Sequence, residues 1–183
     1  RKTEVYMRVA AETLKQGKPV LVLVPDISLI TQMERRFRAR FGQRIAVLHS
    51  GLSAGERYDQ WSRILQQKAD IAIGARSAIF APFPEVGLLI VDEEHDSSYK
   101  QESSLRYNAR DLAVVRAKLT GCVALLGSAT PTIQSCYNAL TKKFTQLTLQ
   151  QRIKSRPLPD IKIVDLRETQ GYRGVPRFIA PVL

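Results

Sequence analysis

Five short apolar runs punctuate the chain: Val20–Pro25, Ile45–His49, Ile71–Gly74, Leu88–Val91 and Cys122–Leu126. Each is rich in Val, Ile and Leu and too short for a globular helix. None alternates apolar with polar, so each reads as a strand buried on both faces, the signature of a parallel sheet. The intervening segments carry a helical period. Val5, Val9 and Leu14 are spaced for one buried face of a first helix, which Gly17-Lys18-Pro19 stops. A second amphipathic helix is predicted over Ser28–Phe41, carrying Arg35, Arg36, Arg38 and Arg40 and ended by Gly42. Ser53 opens a third, with Glu56 as its capping-box partner and Trp61, Ile64 and Leu65 on the apolar side, Trp61 in the core. A fourth runs over Ala109–Leu119 to Gly121, and a fifth over Thr132–Thr141.

Asp96–Asn108 is polar, with neither period. Phe144–Leu149 and Ile161–Val164 are predicted as strands at the edge of the unit, separated by a basic, proline-bearing loop, Arg152–Pro159. The tail from Glu168 onward has no strong pattern. Strands alternating with helices predict βαβ units, hence an α/β fold around a mostly parallel sheet.

Composition adds a partner class. The 183 residues, 44% hydrophobic and 25% charged, are ordinary for one globular domain, but 28 Lys and Arg against 17 Asp and Glu give a net charge of +11. That excess points to a polyanion, most often nucleic acid. No apolar run is long enough to span a bilayer, so no membrane partner is expected. Cys122 and Cys136 form no CxxC pair, so no zinc site is expected in this chain, and sparse cysteines suit a reducing cytoplasm.

The chemistry lies where strands end. Leu88–Val91 runs straight into Asp92-Glu93-Glu94-His95. Burying charge is costly, so an acidic cluster at a buried strand's end calls for a site there. One carboxylate is suited to a hydrated Mg²⁺ and its neighbour to orienting an attacking water. Pro25-Asp26, His49-Ser50-Gly51, Gly74-Ala75-Arg76-Ser77 and Gly127–Thr130 fall at equivalent places, and in an open α/β sheet such ends share one crevice. Lys2-Thr3 matches the last two positions of a phosphate loop, GxxxxGK[ST], with Arg1 where the final glycine stands.

Together these segments resemble the first motor lobe of superfamily 2 helicases. Leu48-His49-Ser50-Gly51-Leu52-Ser53, Gly74–Phe83, Asp92–Gln101 (DEEHDSSYKQ), Arg106–Asp111 and Gly127–Pro131 narrow the likeness to the primosomal protein N′ family of bacterial replication-restart helicases. The resemblance runs from Lys2 to about Leu166, and DEEHDSSYKQ is its specific part. It implies a RecA-like lobe of the P-loop NTPase type over 1–167, without the N-terminal strand and most of the phosphate loop, followed by a tail, 168–183, towards a second lobe.

It also implies roles. Lys2 contacts the β- and γ-phosphates of ATP, Thr3 and Asp92 hold Mg²⁺, and Glu93 positions or deprotonates the hydrolytic water. His95 couples the nucleotide site to Ser128 and Thr130. Tyr99, Lys100, Arg106, Tyr107 and Arg110, with Arg76 and Ser77, contact DNA, rings on bases and cations on phosphates. The implied activity is ATP-dependent 3′→5′ helicase action at stalled forks in the bacterial nucleoid. Its implied partners are single-stranded and forked DNA, single-stranded-DNA-binding protein and other primosome proteins, with zinc only in other parts of the parent. The single lobe is not expected to hydrolyse ATP efficiently alone. Another superfamily 2 motor, or a lobe kept only as a binding module, remains open at this point.

Overall fold

The computed structural model describes residues 2–103 and 105–149. Contacts divide the chain into Arg1–Gln146 and Leu147–Leu183, and the architecture below belongs to the first unit. The expected strand at Ile161–Val164, the basic loop and the tail lie outside the described residues.

Five strands form one parallel sheet: β1 (Val20–Leu23), β2 (Ile45–Leu48), β3 (Ile71–Gly74), β4 (Leu88–Asp92) and β7 (Val123–Gly127), in the order β2-β3-β1-β4-β7. Their continuous apolar sequence follows from helices on both faces. Val20, Val22 and Val24 face one layer with Ile71, Ile73, Leu88 and Ile90. There they meet Tyr6 and Ala10 of α1 (Lys2–Lys15) and Ile30, Met33 and Phe37 of α2 (Ile27–Phe41). Leu21, Leu23, Ala72, Leu89 and Val91 face the other, against Ile64 of α3 (Ala54–Leu65) and Ala109, Ala113 and Ala117 of α4 (Ala109–Thr120). A last helix, α5 (Ile133–Leu140), follows β7.

The helix limits have local causes. Asp26 caps α2 by accepting from the Ser28 N–H. Ser53 and Glu56 close a reciprocal capping box on α3. Gly42 and Gly121, at φ 74 and 66, take the turn out of α2 and α4 that a β-carbon would resist.

Three expectations are corrected. The buried face of α1 is Tyr6, Ala10 and Thr13, while Val9 is exposed and Val5 only half-buried. The helix rests on the sheet through its small Ala10 and the flat ring of Tyr6, which turns the valines to the flanks. On α3, Trp61 is half-buried and Leu65 exposed; only Ile64 reaches the core. Phe144–Leu149 forms no strand, so among the described residues β7 ends the sheet.

The polar stretch after β4 is also structured. A 3₁₀ turn, Ser97–Tyr99, leads into an antiparallel hairpin of β5 (Lys100–Gln101) and β6 (Tyr107–Asn108). Two-residue strands are too short to show a period in sequence.

Candidate functional site

All five parallel strands end on the same side, and β4 delivers Asp92 there between β1 and β7. Asp92 and Glu93 meet Lys2 from the start of α1. Lys2 Nζ donates to Glu93 Oε1 at 2.5 Å and lies 3.6 Å from Asp92 Oδ1, across 91 residues of sequence. Tyr6, one helical turn after Lys2, donates its hydroxyl to Asp92 Oδ1 at 2.8 Å. Burial, and then the Asp92 charge, push the Tyr6 phenol far above its ordinary value of 10.0, so it stays a donor. The Thr3 hydroxyl accepts from Arg36 of α2 at 3.4 Å.

The main chain turns sharply at Glu93, which is in the left-handed region at φ 46. The next side chain therefore points back into the protein. Glu94 is 3% exposed, and its carboxylate accepts from the Thr132 N–H (2.7 Å), the Ser135 hydroxyl (3.0 Å) and Arg110 (3.2 Å). His95 emerges again, its Nδ1 2.7 Å from Ser128 Oγ and 3.7 Å from Glu93 Oε2. Thr130 joins through its main-chain N–H, which donates to Ser128 Oγ at 3.0 Å.

The hairpin is fastened beside this box. Tyr99 is 1% exposed, its hydroxyl donating to the Asp92 carbonyl at 2.6 Å, and burial raises its phenol well above the usual value. Arg76 donates to the Ser98 and Lys100 carbonyls at 3.1 and 2.6 Å, and Ser98 donates to the Pro25 carbonyl at 3.2 Å. Tyr107 packs edge-on against Phe80, with ring centroids 5.2 Å apart. Ser50, Arg76, Ser77, Gln101, Leu105 and Tyr107 line an open cavity of about 320 Å³ between hairpin and sheet. Lys100 and Arg106 are exposed, Lys100 paired with Glu102 at 2.8 Å. Arg116 of α4 holds the neighbouring segment by donating to the Ile79, Ala81 and Phe83 carbonyls (2.5, 3.0 and 3.3 Å).

The structure thus brings Lys2, Asp92 and Glu93 together, and His95 with Ser128. It sets Ser77, Lys100, Arg106 and Tyr107 around one exposed face. Two expected DNA contacts are corrected. Tyr99 cannot stack on a base, because its ring is enclosed and its hydroxyl is bonded to the main chain of β4. Arg110 is turned inward to Glu94 and Thr132, with a side chain 13% exposed. The Arg76 guanidinium, also expected to meet DNA, is engaged by two hairpin carbonyls.

Sequence reasoning assigned nothing to Tyr6, Glu94, Thr132 or Ser135. Tyr6 left one signal, its place four residues after Lys2 and so on the same helix face.

Comparison with known proteins points to one family. The DEAD/DEAH box helicase family profile matches residues 2–139. The replication restart protein PriA of Bacillus subtilis is 48% identical over 167 residues, covering 91% of this chain and 21% of that protein. That of Synechocystis sp. is 49% identical over 181 residues, covering 95% and 22%. The chain therefore spans about a fifth of the length of the curated relatives it matches. The crystal structure of the Pyrococcus furiosus Hef helicase domain superposes with a TM-score of 0.55 at 22% identity, over 76% of this chain and 30% of that one, a likeness of fold. With its profile match running from Lys2 through the box and both flanking helices, the chain belongs to the DEAD/DEAH box helicase family.

Proposed function

We propose that this chain is the first motor lobe of an ATP-dependent 3′→5′ DNA helicase that acts in replication restart. The observation that carries the reading is the meeting of Lys2 with Asp92 and Glu93, an ammonium and two carboxylates brought together from 91 residues apart at the mouth of a parallel sheet. Near-half identity to two proteins named for replication restart supports the cellular role.

The residues that meet suit a hydrated Mg²⁺ with nucleotide phosphates: one hard carboxylate, Asp92, and a phosphate-seeking ammonium, Lys2; Thr3, whose hydroxyl accepts from Arg36, would have to turn from that contact to join them. Mg²⁺ keeps most of its water and takes one or two carboxylates. When bound, the ion supplies charge neutralisation at the phosphates. Lys2 pairs with Glu93 and lies close to Asp92. Bound nucleotide phosphates would compete for that ammonium and so would free Glu93 to orient or deprotonate water.

Tyr6 holds the Asp92 carboxylate in one rotamer. His95 reports through Ser128 to the loop before α5, a contact between exposed side chains that two arrangements of the loop can make or break. The cavity that Ser77 and Tyr107 line, and a second one that Tyr107 shares with Lys100 and Arg106, suit the backbone and bases of a single strand. The protein's partners would be single-stranded and forked DNA, single-stranded-DNA-binding protein and other primosome proteins, in the bacterial nucleoid. No helix among the described residues is long and apolar enough to cross a membrane. The motor lobe would extend to about residue 167, with 168–183 as its tail.

The test uses the full-length gene product. Glu93→Gln should lower kcat for DNA-stimulated ATP hydrolysis about 100-fold or more, leaving affinity for single-stranded DNA within about two-fold. Unwinding of a forked duplex should fall in parallel. Hydrolysis at the wild-type rate in Glu93→Gln would refute the assignment.

A further inference from the structure

Among the described residues, three other than glycine have positive φ: Gln67, Glu93 and Lys142. Gln67 and Lys142 follow Gln66 and Thr141, the C-caps of α3 and α5, where a left-handed residue commonly ends a helix. Glu93 has no such reason. It sits between a buried strand and the rest of the box, in a conformation that side chains bearing a β-carbon avoid unless their surroundings impose it.

The surroundings that impose it belong to Glu94. Its N–H donates to the Gly127 carbonyl at 3.1 Å, which ties the turn to β7. Its carboxylate is held from α4 by Arg110 and from the start of α5 by the Thr132 N–H and the Ser135 hydroxyl. The paired side chains are 2% and 13% exposed. A buried ion pair is weak evidence for stability alone, since an apolar substitute often serves as well. Here the pair joins three elements to the residue between Glu93 and His95.

We propose that Glu94 is a positioning residue: clamped by Arg110 and the N-terminus of α5, it holds Glu93 in its left-handed turn and so aims the Glu93 carboxylate into the nucleotide site. The inference rests on the reading that Glu93 acts on the hydrolytic water. The box thus has two contacts with the segment after β7, a buried one through Glu94 and an exposed one through His95 and Ser128.

Two variants of the full-length gene product test this. Glu94→Gln keeps the shape and removes the charge, and Ser135→Ala deletes one donor from outside the nucleotide site. Misaiming the carboxylate should lower kcat for DNA-stimulated hydrolysis about ten-fold in Glu94→Gln and about three-fold in Ser135→Ala, per folded molecule, with KM for ATP within about two-fold. A purely structural role would lower activity only in proportion to the folded fraction seen in melting curves, and that result would overturn the proposal. Should Glu94→Gln fail to fold, the kcat of Ser135→Ala decides.

Crystal structures of the variants provide a readout independent of turnover. Glu93 should leave the left-handed region in Glu94→Gln; its staying there, or in Ser135→Ala an unchanged Glu93 rotamer, would overturn the proposal. A wild-type protein without DNA-stimulated ATPase would instead sink the helicase reading, and the conformation of Glu93 would still decide this one.

Discussion

Gly127→Ala probes the contact that seats α1 against the end of β7. A β-carbon at Gly127 would overlap the Tyr6 hydroxyl and come within 2.7 Å of Tyr6 Cζ. Tyr6 is 2% exposed and bonded to Asp92, so it has no free direction in which to retreat. Two costs follow: overpacking of a filled site, about 1–3 kcal/mol, and loss of a hydrogen bond to a charged acceptor, about 1.5–3 kcal/mol. Even near the low end, at about 3 kcal/mol, a domain of this size should lose about 6–12 °C in melting temperature.

Tyr6→Phe alone forfeits only the hydrogen bond and should cost about 1.5–3 kcal/mol. In the double variant that bond is lost once rather than twice, and the worst overlap is gone. It should therefore be less destabilised than the sum of the single variants by at least about 1 kcal/mol. Thermal melting of the four proteins measures the cycle. Additive shifts, or a Gly127→Ala protein melting within about 2 °C of wild type, would refute the packing argument.

Alkaline pH should weaken the fold through the same tyrosine. Folding raises the Tyr6 pKa above its unfolded value of 10.0, first by burial and then through Asp92. The neutral phenol's contribution is thus whole below pH 10 and falls away above it, by up to about 1.4 kcal/mol per pH unit. Tyr99 adds a like share, so Tyr6→Phe should show a shallower loss, read from urea midpoints between pH 9 and 11. An unchanged slope would contradict this. Arg116→Met should release the Ile79, Ala81 and Phe83 carbonyls at a cost of about 2–4 kcal/mol. Faster hydrogen exchange at the Ala78 and Ala81 amides would report it, and unchanged protection would count against it. Tyr99→Phe should leave affinity for single-stranded DNA within about two-fold, whereas Tyr107→Ala should weaken it about ten-fold through lost stacking; fluorescence anisotropy with a labelled oligonucleotide distinguishes them, and the reverse order would show the hairpin assignment to be wrong.

Much of the site was legible because its signals are local. A run such as Leu88–Val91 can be satisfied only as a strand covered on both faces, and the covering helices carry caps at fixed offsets, as Ser53 and Glu56 do. Parallel strands then place their carboxyl ends together, so Asp92 and the Gly127–Thr130 segment were foreseeable neighbours, whereas Lys2, at the start of a helix, was implied there only by the family resemblance. The hairpin was not, because two-residue strands carry no period. The phase of α1 was misread because Val5 and Val9 are more apolar than Ala10, although the small residue permits the closer approach to the sheet.

Spacing and solvation along the chain were enough for the parallel sheet, the order of its helices and an acidic cluster at its mouth; Lys2 was implied there only by the family resemblance, and the tertiary structure brings it to Asp92 and Glu93. The sequence left undecided which way each polar side chain turns. Tyr99 and Arg110 look like Tyr107 and Arg106 in composition, yet two turn inward and two remain at the hairpin surface. That choice depends on partners far away in sequence, the Asp92 carbonyl for Tyr99, and Glu94 and Thr132 for Arg110. A buried polar group is tolerated only where such partners meet it, and only the tertiary structure brings them within reach.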